Sequence, residues 1–539
     1  MTGRTEPGRY LVNIDSVSTH QLFTDCLVIG AGIAGLRAAI EAAGHCSVIV
    51  VCKGSLENSN SWLAQGGVAA VLDKTDTFES HIADTLSAGC GINDEKIAEM
   101  VVRRGPQLIE QLLSWGAAFD MVDGHIAVTL EGAHSHPRVA HAHGDETGRI
   151  ITETLIKKTR ENPNIRVLEN FYAIDLLTND ENDCVGLIGH DRRGTQIIWA
   201  ASTILATGGV GQLYRETTNP EVATGDGLAM AYRAGTVLCD LEFMQFHPTT
   251  LYVAGASRAL ITEAIRGEGA VLLDNKGRRF MKDYHESAEL APRDVVSRAI
   301  LSQMLKTKST HVYLDVRNFD KEHFAKRFPQ INELCESFDI DISRELIPVR
   351  PSAHYMIGGV KTDIFARTNI RNLYACGEIA SSGLHGANRL GSNSLLECLV
   401  FGKIAGEIAS GQKNADVSHI KHPCIKYQIP HSNRTRLDTA DVRNSLRALM
   451  WRNVGITRSA RPLAEAQEII AFWQRYVMDK IFDSPPGWEC QNMLTVCQLM
   501  ARSARQRTES RGVHFRSDFP QTDNERFKKH IEISRYSGK

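Results

Sequence analysis

Near its N-terminus the chain reads Asp25-Cys-Leu-Val-Ile-Gly30-Ala31-Gly32-Ile33-Ala34-Gly35, a short apolar run that ends in the spacing G-x-G-x-x-G. A helical pattern continues to Ala43, and a second apolar run extends from Ser47 to Cys52. This order predicts a βαβ unit in which the missing glycine side chains let a pyrophosphate approach the backbone and the helix N-terminus. A bare tight turn would also use these glycines. Because strand, turn, helix and second strand fall within about 30 residues, dinucleotide binding is favoured.

Length and charge bound the class of protein. A chain of 539 residues exceeds one ordinary hydrophobic core, so two or three domains are expected. The net charge of −2 excludes a general attraction to nucleic acid or anionic membranes. The apolar stretch from Asp25 to Ala43 is interrupted by Arg37 and Glu41, so it does not predict a membrane span. The preceding residues lack the apolar segment of a signal peptide, and a cytoplasmic protein is expected.

The 12 cysteines are scattered and include no C-x-x-C pair. This spacing does not favour a zinc or iron–sulfur site. Reduced, mostly buried thiols are expected.

Two further apolar runs end in glycine turns, Ser202 to Gly209 and Asn372 to Glu378. Both are expected to join the same parallel sheet. Between them, from about Leu241 to His354, the elements leave the βαβ rhythm, which predicts an inserted domain.

The last part of the chain is predicted to be helical. After Gly411 the sequence becomes polar, and Pro423 and Pro430 mark a linker. From about Ala440 to Arg507 the apolar residues recur at helical spacing, which indicates a C-terminal helical bundle.

The choice of a flavin as the dinucleotide rests on the resemblance of three segments to a known family. They are Asn58-Ser-Asn60-Ser-Trp-Leu-Ala-Gln-Gly-Gly67, Ala206-Thr-Gly-Gly209 and Tyr374-Ala-Cys-Gly-Glu378. Together they resemble the FAD-binding segments of the succinate dehydrogenase and fumarate reductase flavoprotein family. Lys53 stands where the dinucleotide fingerprint usually has an acidic residue for the adenosine ribose, so the fingerprint leaves ribose recognition unassigned. The resemblance implies an FAD site made of Gly30, Ala31, Gly32, Ile33, Ala34, Gly35, Lys53, Asn60, Ser61, Trp62, Leu63, Ala64, Gln65, Gly66, Gly67, Tyr172, Ala173, Thr207, Gly208, Gly209, Asp226, Glu378, Ser394 and Leu395.

Four more motifs are similar to the dicarboxylate site of that family. They are Phe246-His-Pro248, Leu260-Ile-Thr-Glu-Ala-Ile-Arg-Gly-Glu-Gly269, Leu290-Ala-Pro-Arg-Asp294 and His385-Gly-Ala-Asn-Arg-Leu-Gly-Ser-Asn-Ser-Leu-Leu-Glu397. The resemblance extends nearly end to end and includes the tail Glu509-Ser-Arg-Gly-Val-His-Phe-Arg-Ser-Asp-Phe-Pro520.

The resemblance assigns a role to each matching side chain. His247, Thr262, His354 and Arg389 match the residues that hold two substrate carboxylates, and an arginine fork with imidazole and hydroxyl donors suits that task. Arg293 matches the proton-transfer arginine of the family. Because an arginine stays protonated, we expect it to act in an amine oxidation as an electrostatic clamp. Arg293, His247 and Glu131 are the candidate catalytic residues.

Glu131 opens the loop Glu131-Gly-Ala-His-Ser-His-Pro-Arg-Val-Ala-His-Ala-His-Gly-Asp145, whose two H-x-H pairs invite a metal interpretation. No carboxylate or thiolate partners are clustered with them, so no metal site is predicted. The loop resembles that of the aspartate-oxidising members of the family, in which an acidic residue can pair with a substrate ammonium group. The alternative is that Glu131 is a solvated loop acid.

Asn60 bears on how the flavin is attached, which differs between members of the family. Membrane-bound members join a histidine of a Ser-His-Thr-x-x-Ala-Gln-Gly-Gly segment covalently to the flavin, and an amide cannot form that bond. The resemblance therefore implies noncovalent FAD and oxidation of L-aspartate to iminoaspartate, with oxygen or fumarate as electron acceptor. The product is expected to pass to quinolinate synthase in NAD biosynthesis. A soluble fumarate reductase, or the electron-transfer flavoprotein subunit of a larger complex, remains the alternative.

The expected fold is α/β, with a Rossmann-like FAD-binding domain, an inserted α+β capping domain and a C-terminal helical bundle. We expect the FAD-binding domain at 1–240 and 355–412, the capping domain at 241–354 and the helical domain at 430–539.

Overall fold

The computed structural model describes residues 8–254, 258–411, 422–429 and 437–536. Pro423 lies within these ranges, whereas Pro430, the second residue of the predicted linker, lies outside them.

The βαβ unit is present. The strand His20–Ile29 leads through the glycine turn into the helix Ile33–Ala42, and the strand Val48–Val51 pairs in parallel with the first strand. Gly30 has φ +112°, and a Cβ there would lie 2.1 Å from the carbonyl oxygen of Ala206. The turn therefore requires glycine both for its backbone conformation and for its close approach to a neighbouring strand.

The large sheet has seven strands, Tyr172–Thr178, Cys184–Asp191, Gly194–Leu205, His20–Ile29, Val48–Val51, Ile165–Leu168 and Leu373–Ala375. The strand Gly194–Leu205 pairs in parallel with both His20–Ile29 and Leu373–Ala375. The two glycine-ended runs therefore belong to one parallel sheet, as predicted. That sheet also carries an antiparallel hairpin, Tyr172–Thr178 with Cys184–Asp191, which the sequence did not predict.

Helices pack on the large sheet or on one another beside it. They are Ile33–Ala42, Phe78–Ala88, Glu95–Ser114, Thr147–Glu161, Asp226–Ala234 and Asn393–Ser410. Ile33–Ala42 packs on Asn393–Ser410, and their apolar side chains share one hydrophobic cluster with the strands beneath them. This packing fixes the beginnings of both helices beside the carboxyl ends of the parallel strands.

The inserted unit is built on an antiparallel sheet in the order Met244–Leu251, Ile347–Met356, Val312–Asp315 and Val271–Leu273. Its helices are Glu263–Gly267, Arg293–Thr307, Lys321–Arg327 and Pro329–Ser337. Apolar side chains between Leu251 and Val349 form a hydrophobic cluster of their own. The predicted α+β insertion is confirmed.

The C-terminal region is helical, as predicted, with helices Thr439–Asn453, Ala460–Val477 and Pro485–Gln506. Pro485–Gln506 packs on Asp226–Ala234 and shares a hydrophobic cluster with the large sheet. The bundle is thus in contact with the nucleotide-binding part of the fold. Within the described residues, none of the helices has the length and apolarity that crossing a bilayer requires.

Shorter elements complete the fold. They are the strands Ile14–Asp15, Val68–Ala69, Met121–Val122, His125–Ile126, Val128–Thr129, Val139–Ala140, Leu238–Cys239, Gly359–Lys361, Ala380–Ser381, Lys426–Tyr427, Thr457–Arg458, Phe515–Arg516 and Glu532–Ile533, and the helix Asn524–Phe527.

Candidate active site

A long cleft, with about 1810 Å³ of empty space including its opening to solvent, lies at the carboxyl ends of the parallel strands. Ligands of open α/β sheets bind at this edge. All six predicted catalytic and substrate-binding residues line it, namely Glu131, His247, Thr262, Arg293, His354 and Arg389. So do the predicted FAD residues except Ile33, Gly35 and Trp62.

Those three residues support the cleft from behind. A Cβ on Gly35 would lie 2.0 Å from the carbonyl oxygen of Gly30, so this glycine lets the helix pack closely on the turn. The backbone N–H of Ile33 donates to Ser61 Oγ at 3.0 Å. Trp62 packs against the hydrophobic cluster beneath the helices. The third glycine of the motif thus serves packing, and Gly32 lines the cleft itself.

Charge pairs around Lys53 close one end of the cleft, which is called the adenosine end because the dinucleotide fingerprint predicts the adenosine ribose beside Lys53. Its Nζ lies 2.9 Å from Asp226 Oδ2 and 2.5 Å from Glu489 Oε1. Asp226 also accepts hydrogen bonds from Tyr172 OH and Asn492 Nδ2, both at 2.7 Å. Burial raises the pKa of Asp226, but Lys53 and hydrogen-bond donors that include Asn492 outweigh burial and hold that pKa below its usual value. An acidic residue is therefore present at this end, supplied by the helix Asp226–Ala234.

Two buried polar atoms in the middle of the cleft favour a bound cofactor. Gln65 Oε1 and Thr207 Oγ1 have no hydrogen-bond partner among the described residues, and both residues line the cleft. Buried polar atoms are normally paired, so such atoms indicate where a ligand would bind. With Gly32 and Gly208 also lining the cleft, the residues present fit a dinucleotide.

Asn60, which the motif resemblance aligns with the family's linking histidine, is held by its neighbours. Its Nδ2 donates to Glu378 Oε2 at 3.2 Å and to Asn219 Oδ1 at 3.3 Å. Glu378 also accepts the backbone N–H of Met356 at 2.9 Å. Burial raises the pKa of Glu378 to about 7. The amide and this carboxyl group form a polar wall of the cleft.

Arg389 is buried and only partly paired. Its Nη1 donates to Ser394 Oγ at 2.5 Å and its Nε to Gln245 Oε1 at 3.2 Å, while Nη2 has no partner among the described residues. The guanidinium carbon lies 4.3 Å from the ring centroid of Tyr355. Burial, together with the nearby Arg293, lowers the pKa of Arg389 to about 10, so the group remains a cation at neutral pH. Among the described residues, Nη2 is therefore the nitrogen that remains available to an anion.

Two histidines face each other beside this arginine. The ring centroids of His247 and His354 are 5.1 Å apart. Burial, followed by Arg293 and other cations for His247 and by Arg389 and Arg293 for His354, holds both pKa values well below the usual range. Both rings are therefore neutral at physiological pH. Thr262, at the start of the helix Glu263–Gly267, lines the same wall.

Arg293 is anchored by a carboxylate that sequence reasoning did not assign. Its Nε donates to Glu263 Oε2 at 2.5 Å, and Arg266 Nη2 lies 3.1 Å from Glu263 Oε1. Burial raises the pKa of Glu263, but the two arginines outweigh burial and keep it ionised. The result is an arginine–glutamate–arginine chain beneath the cleft.

Glu131 is buried, with 2% of its surface exposed, and is not a solvated loop acid. Its Oε2 accepts a hydrogen bond from Ser392 Oγ at 2.8 Å, whereas Oε1 has no hydrogen-bond partner among the described residues. Burial and the neighbouring Glu263 raise its pKa, and Ser392 and Arg293 oppose that shift. Among the described residues, the cleft thus contains an incompletely paired carboxyl group as well as an incompletely paired guanidinium.

The H-x-H pairs form no metal cluster in the described part of the chain. His134 Nε2 lies 3.1 Å from the carbonyl oxygen of Gly391, and His141 Nε2 lies 2.9 Å from Thr129 Oγ1. Burial lowers the pKa of His134 to about 4 and that of His141 to about 3. These histidines are neutral packing residues around the loop.

Several residues of the cleft were missed. Glu263 and Ser392 stand inside motifs that were quoted for other residues, and Tyr355 directly follows His354. The sequence feature that could have identified them is their position next to residues that were assigned. Glu489 and Asn492, which contact Lys53 and Asp226 behind the cleft, carried no such signal, because packing of the C-terminal helices brings them there.

The whole chain, and not only its cleft, is similar to known flavoproteins. A family model described as "FAD binding domain" matches residues 25–395, and one described as "Fumarate reductase flavoprotein C-term" matches residues 443–538. The L-aspartate oxidase of Streptomyces coelicolor is 41% identical over 94% of this chain and 91% of its own length. That of Synechocystis sp. is 41% identical over 93% and 95%.

A solved structure of quinol fumarate reductase FrdA from E. coli, with a point mutation, matches with a TM-score of 0.88 at 32% identity, covering 96% of this chain and 95% of that one. The resemblance inferred from the motifs is confirmed by these matches. The chain belongs to the L-aspartate oxidases within the succinate dehydrogenase and fumarate reductase flavoprotein family.

Proposed function

We propose that this chain oxidises L-aspartate to iminoaspartate with noncovalently bound FAD. The observation that carries the proposal is a pair of polar groups in one cleft that the described residues leave incompletely paired, the Arg389 guanidinium at Nη2 and the Glu131 carboxyl group at Oε1. L-Aspartate offers a carboxylate to the arginine and an ammonium group to the glutamate. Succinate and fumarate offer carboxylates only.

The two carboxylates of the substrate would be held at different places. Arg389 binds one through its free Nη2. Thr218 Oγ1 lies 2.9 Å from Nδ1 of His354, and a hydroxyl that donates there leaves Nε2–H to donate to a carboxylate. The neutral state of His354 and His247 suits this task, because neutral imidazoles add directed hydrogen bonds without adding to the charge of two arginines.

Glu131 would pair with the ammonium group. Its Oε1 is the atom that can accept a proton from that group, which leaves a nitrogen lone pair to form the imine as hydride leaves Cα. Arg293, held by Glu263, balances the negative charge around the reacting carbon. Bound FAD would accept the hydride and pass the electrons to oxygen or fumarate.

Noncovalent binding is supported by Asn60, whose amide has no reactivity toward the flavin ring. The amide is instead engaged with Glu378 and Asn219. Around the cofactor, Gln65 Oε1 and Thr207 Oγ1, which have no partner among the described residues, would form hydrogen bonds, and Lys53, Tyr172 and Asp226 would form the adenosine end.

We also propose the domain division 1–240 with 355–412, 241–354 and 430–539. His247, Thr262 and Arg293 then come from the capping domain, whereas Glu131 and Arg389 come from the FAD-binding domain. A site divided in this way is complete only when the two domains meet, so closure would exclude water from the reaction.

The reactivity of the product indicates which kind of enzyme acts next, and the state of the cysteines indicates the compartment. An imine of a dicarboxylic acid hydrolyses in water, so an enzyme that consumes it directly is needed, and quinolinate synthase in NAD biosynthesis is the proposed functional partner. All twelve cysteines are free thiols, which suits a reducing compartment, and we propose the cytoplasm.

Fumarate reduction is the second candidate. The arginine–glutamate–arginine chain and the carboxylate-binding side chains need no ammonium group, and the fold matches a fumarate reductase closely.

Anaerobic mixing of the FAD-loaded chain with L-aspartate separates the candidates. Bleaching of the flavin absorbance by L-aspartate, and not by succinate, is expected. Bleaching by succinate alone would favour fumarate reductase chemistry, and no bleaching by either would contradict both. Steady-state assays with oxygen and with fumarate then identify the acceptor.

A further inference from the structure

Two serines of one tripeptide, Ser392-Asn-Ser394, contact the two charged groups of the substrate site. Ser394 Oγ accepts from Arg389 Nη1 at 2.5 Å, and Ser392 Oγ donates to Glu131 Oε2 at 2.8 Å. One serine therefore serves the cation that binds carboxylates, and the other serves the anion. Both lie at the start of the helix Asn393–Ser410.

Ser392 has a backbone position that does not explain its hydroxyl group. It is the N-cap residue of that helix, where a serine side chain usually accepts a backbone N–H of the first turn. Here it makes no capping hydrogen bond, and its φ is +61°. The backbone around it is held without the hydroxyl, since Ala69 N donates to Ser392 O at 3.1 Å and His134 contacts Gly391 O at 3.1 Å. The hydroxyl is therefore free to serve Glu131.

The Glu131 carboxylate needs such a donor. It is almost fully buried, and one of its oxygens has no hydrogen-bond partner among the described residues. The charged and titratable groups that face it are Glu263, Arg266, Arg293, Arg327 and His141. His141 Nε2 is 3.8 Å from Oε1, beyond a hydrogen bond, and Arg293 is engaged by Glu263. Ser392 supplies the hydrogen bond to this carboxylate.

We propose that Ser392 is a positioning residue that orients Glu131 so that Oε1 meets the ammonium group of the substrate. The proposal rests on the proposed function, and it deepens it, because it assigns the selectivity for an amino dicarboxylate to a serine–glutamate pair. A hydrogen bond to the ionised form also favours that form, so Ser392 opposes the rise that burial and Glu263 cause in the pKa of Glu131.

The test compares the FAD-loaded wild type with Ser392→Ala, Ser392→Gly and Ser394→Ala. Glycine accepts a φ of +61° without strain, so it removes the hydroxyl while relaxing the backbone.

The measurements are kcat/KM for L-aspartate across pH and the Kd of succinate from flavin absorbance. Both Ser392 variants are expected to lower kcat/KM by about tenfold or more, from the loss of one hydrogen bond to a charged group. The acid limb of the profile should move to higher pH, since Glu131 would protonate more easily. The Kd of succinate should change less than about twofold.

Ser394→Ala is the matched control. It removes a hydroxyl two residues away and is expected to weaken L-aspartate and succinate alike, with no shift of the acid limb. Equal losses for both ligands in the Ser392 variants, or an unmoved acid limb, would overturn the proposal. A wild type that does not oxidise L-aspartate would instead refute the proposed function, and the pH dependence of L-aspartate binding would still test Ser392 by the same comparison.

Discussion

The two ends of the cleft differ in how completely their charged side chains are paired. At the adenosine end Lys53 is fully engaged by Asp226 and Glu489, and Asp226 is further bound by Tyr172 and Asn492. At the substrate end Arg389 and Glu131 each retain an atom without a partner in the described chain. A buried polar atom without a partner costs about 1–3 kcal/mol. The charged side chains of the adenosine end are therefore already paired with one another. Those of the substrate end become fully paired when a ligand of matching charge binds.

This difference predicts that cofactor retention and substrate selection fail separately. Changes at the adenosine end should alter FAD affinity and leave the choice of substrate unchanged. Changes at the substrate end should alter turnover, affinity or selectivity and leave FAD bound.

The largest expected effect is complete release of FAD on acid denaturation. Asn60 cannot form a covalent link, so only noncovalent contacts hold the flavin, and these are lost when the chain unfolds. After acid precipitation all the flavin absorbance should be in the supernatant. Yellow colour that stays with the washed precipitate would contradict noncovalent binding.

The two arginines should differ by the kind of loss they cause. Arg293→Leu removes the cation next to the reacting carbon and is expected to lower kcat by about 1000-fold. Arg389→Leu removes a carboxylate partner and is expected to raise KM for L-aspartate and the Kd of succinate by about 100-fold, with a smaller effect on kcat. Steady-state kinetics and succinate titration measure both.

A flavin spectrum matching that of the wild type is the control for each arginine variant, since both residues lie away from the adenosine end. Small and equal effects on kcat and KM in the two variants would mean that the roles have been assigned to the wrong residues.

The sequence anticipated the parts of this molecule that depend on local chemistry. Gly30 could be predicted because a turn with positive φ against a neighbouring strand accepts no other residue. Arg293 and Arg389 were found through motifs in which their neighbours also match. Glu489 and Asn492 could not be found, because they lie more than 250 residues beyond Asp226 in the chain and reach it only through helix packing. Ser392 was missed because an N-cap serine is ordinarily explained by its own helix.

Glu131→Gln should change selectivity more than stability. Glutamine keeps the size of the side chain and removes the charge that would pair with an ammonium group. Oxidation of L-aspartate is expected to fall by about 30-fold or more, while fumarate reduction by a reduced dye stays within about twofold.

The pH profile of L-aspartate oxidation gives a second readout. Activity of the wild type should be lost as pH falls through the pKa of Glu131, which burial and Glu263 raise above the usual glutamate value, and the variant should lack this acid limb. A parallel fall of both activities, or no change in either, would show that Glu131 does not recognise the amino group.

The smallest effect is expected from Glu489→Gln, at the opposite end of the cleft. Its carboxylate pairs with Lys53 and with Arg443, whose side chains are 23% and 26% exposed, and partly exposed ion pairs contribute about 0–1 kcal/mol. Lys53 keeps Asp226 at 2.9 Å and Thr224 Oγ1 at 2.7 Å, so its position should survive. The Kd of FAD, measured by fluorescence titration of the apoprotein, should therefore rise less than about fivefold. Asp226→Asn, which removes the buried partner, should weaken FAD binding more.

At saturating FAD, the kcat/KM of Glu489→Gln for L-aspartate and its ratio of L-aspartate oxidation to fumarate reduction should match those of the wild type. A change in that ratio would mean that the adenosine end takes part in substrate selection, and the separation of the two ends would be wrong.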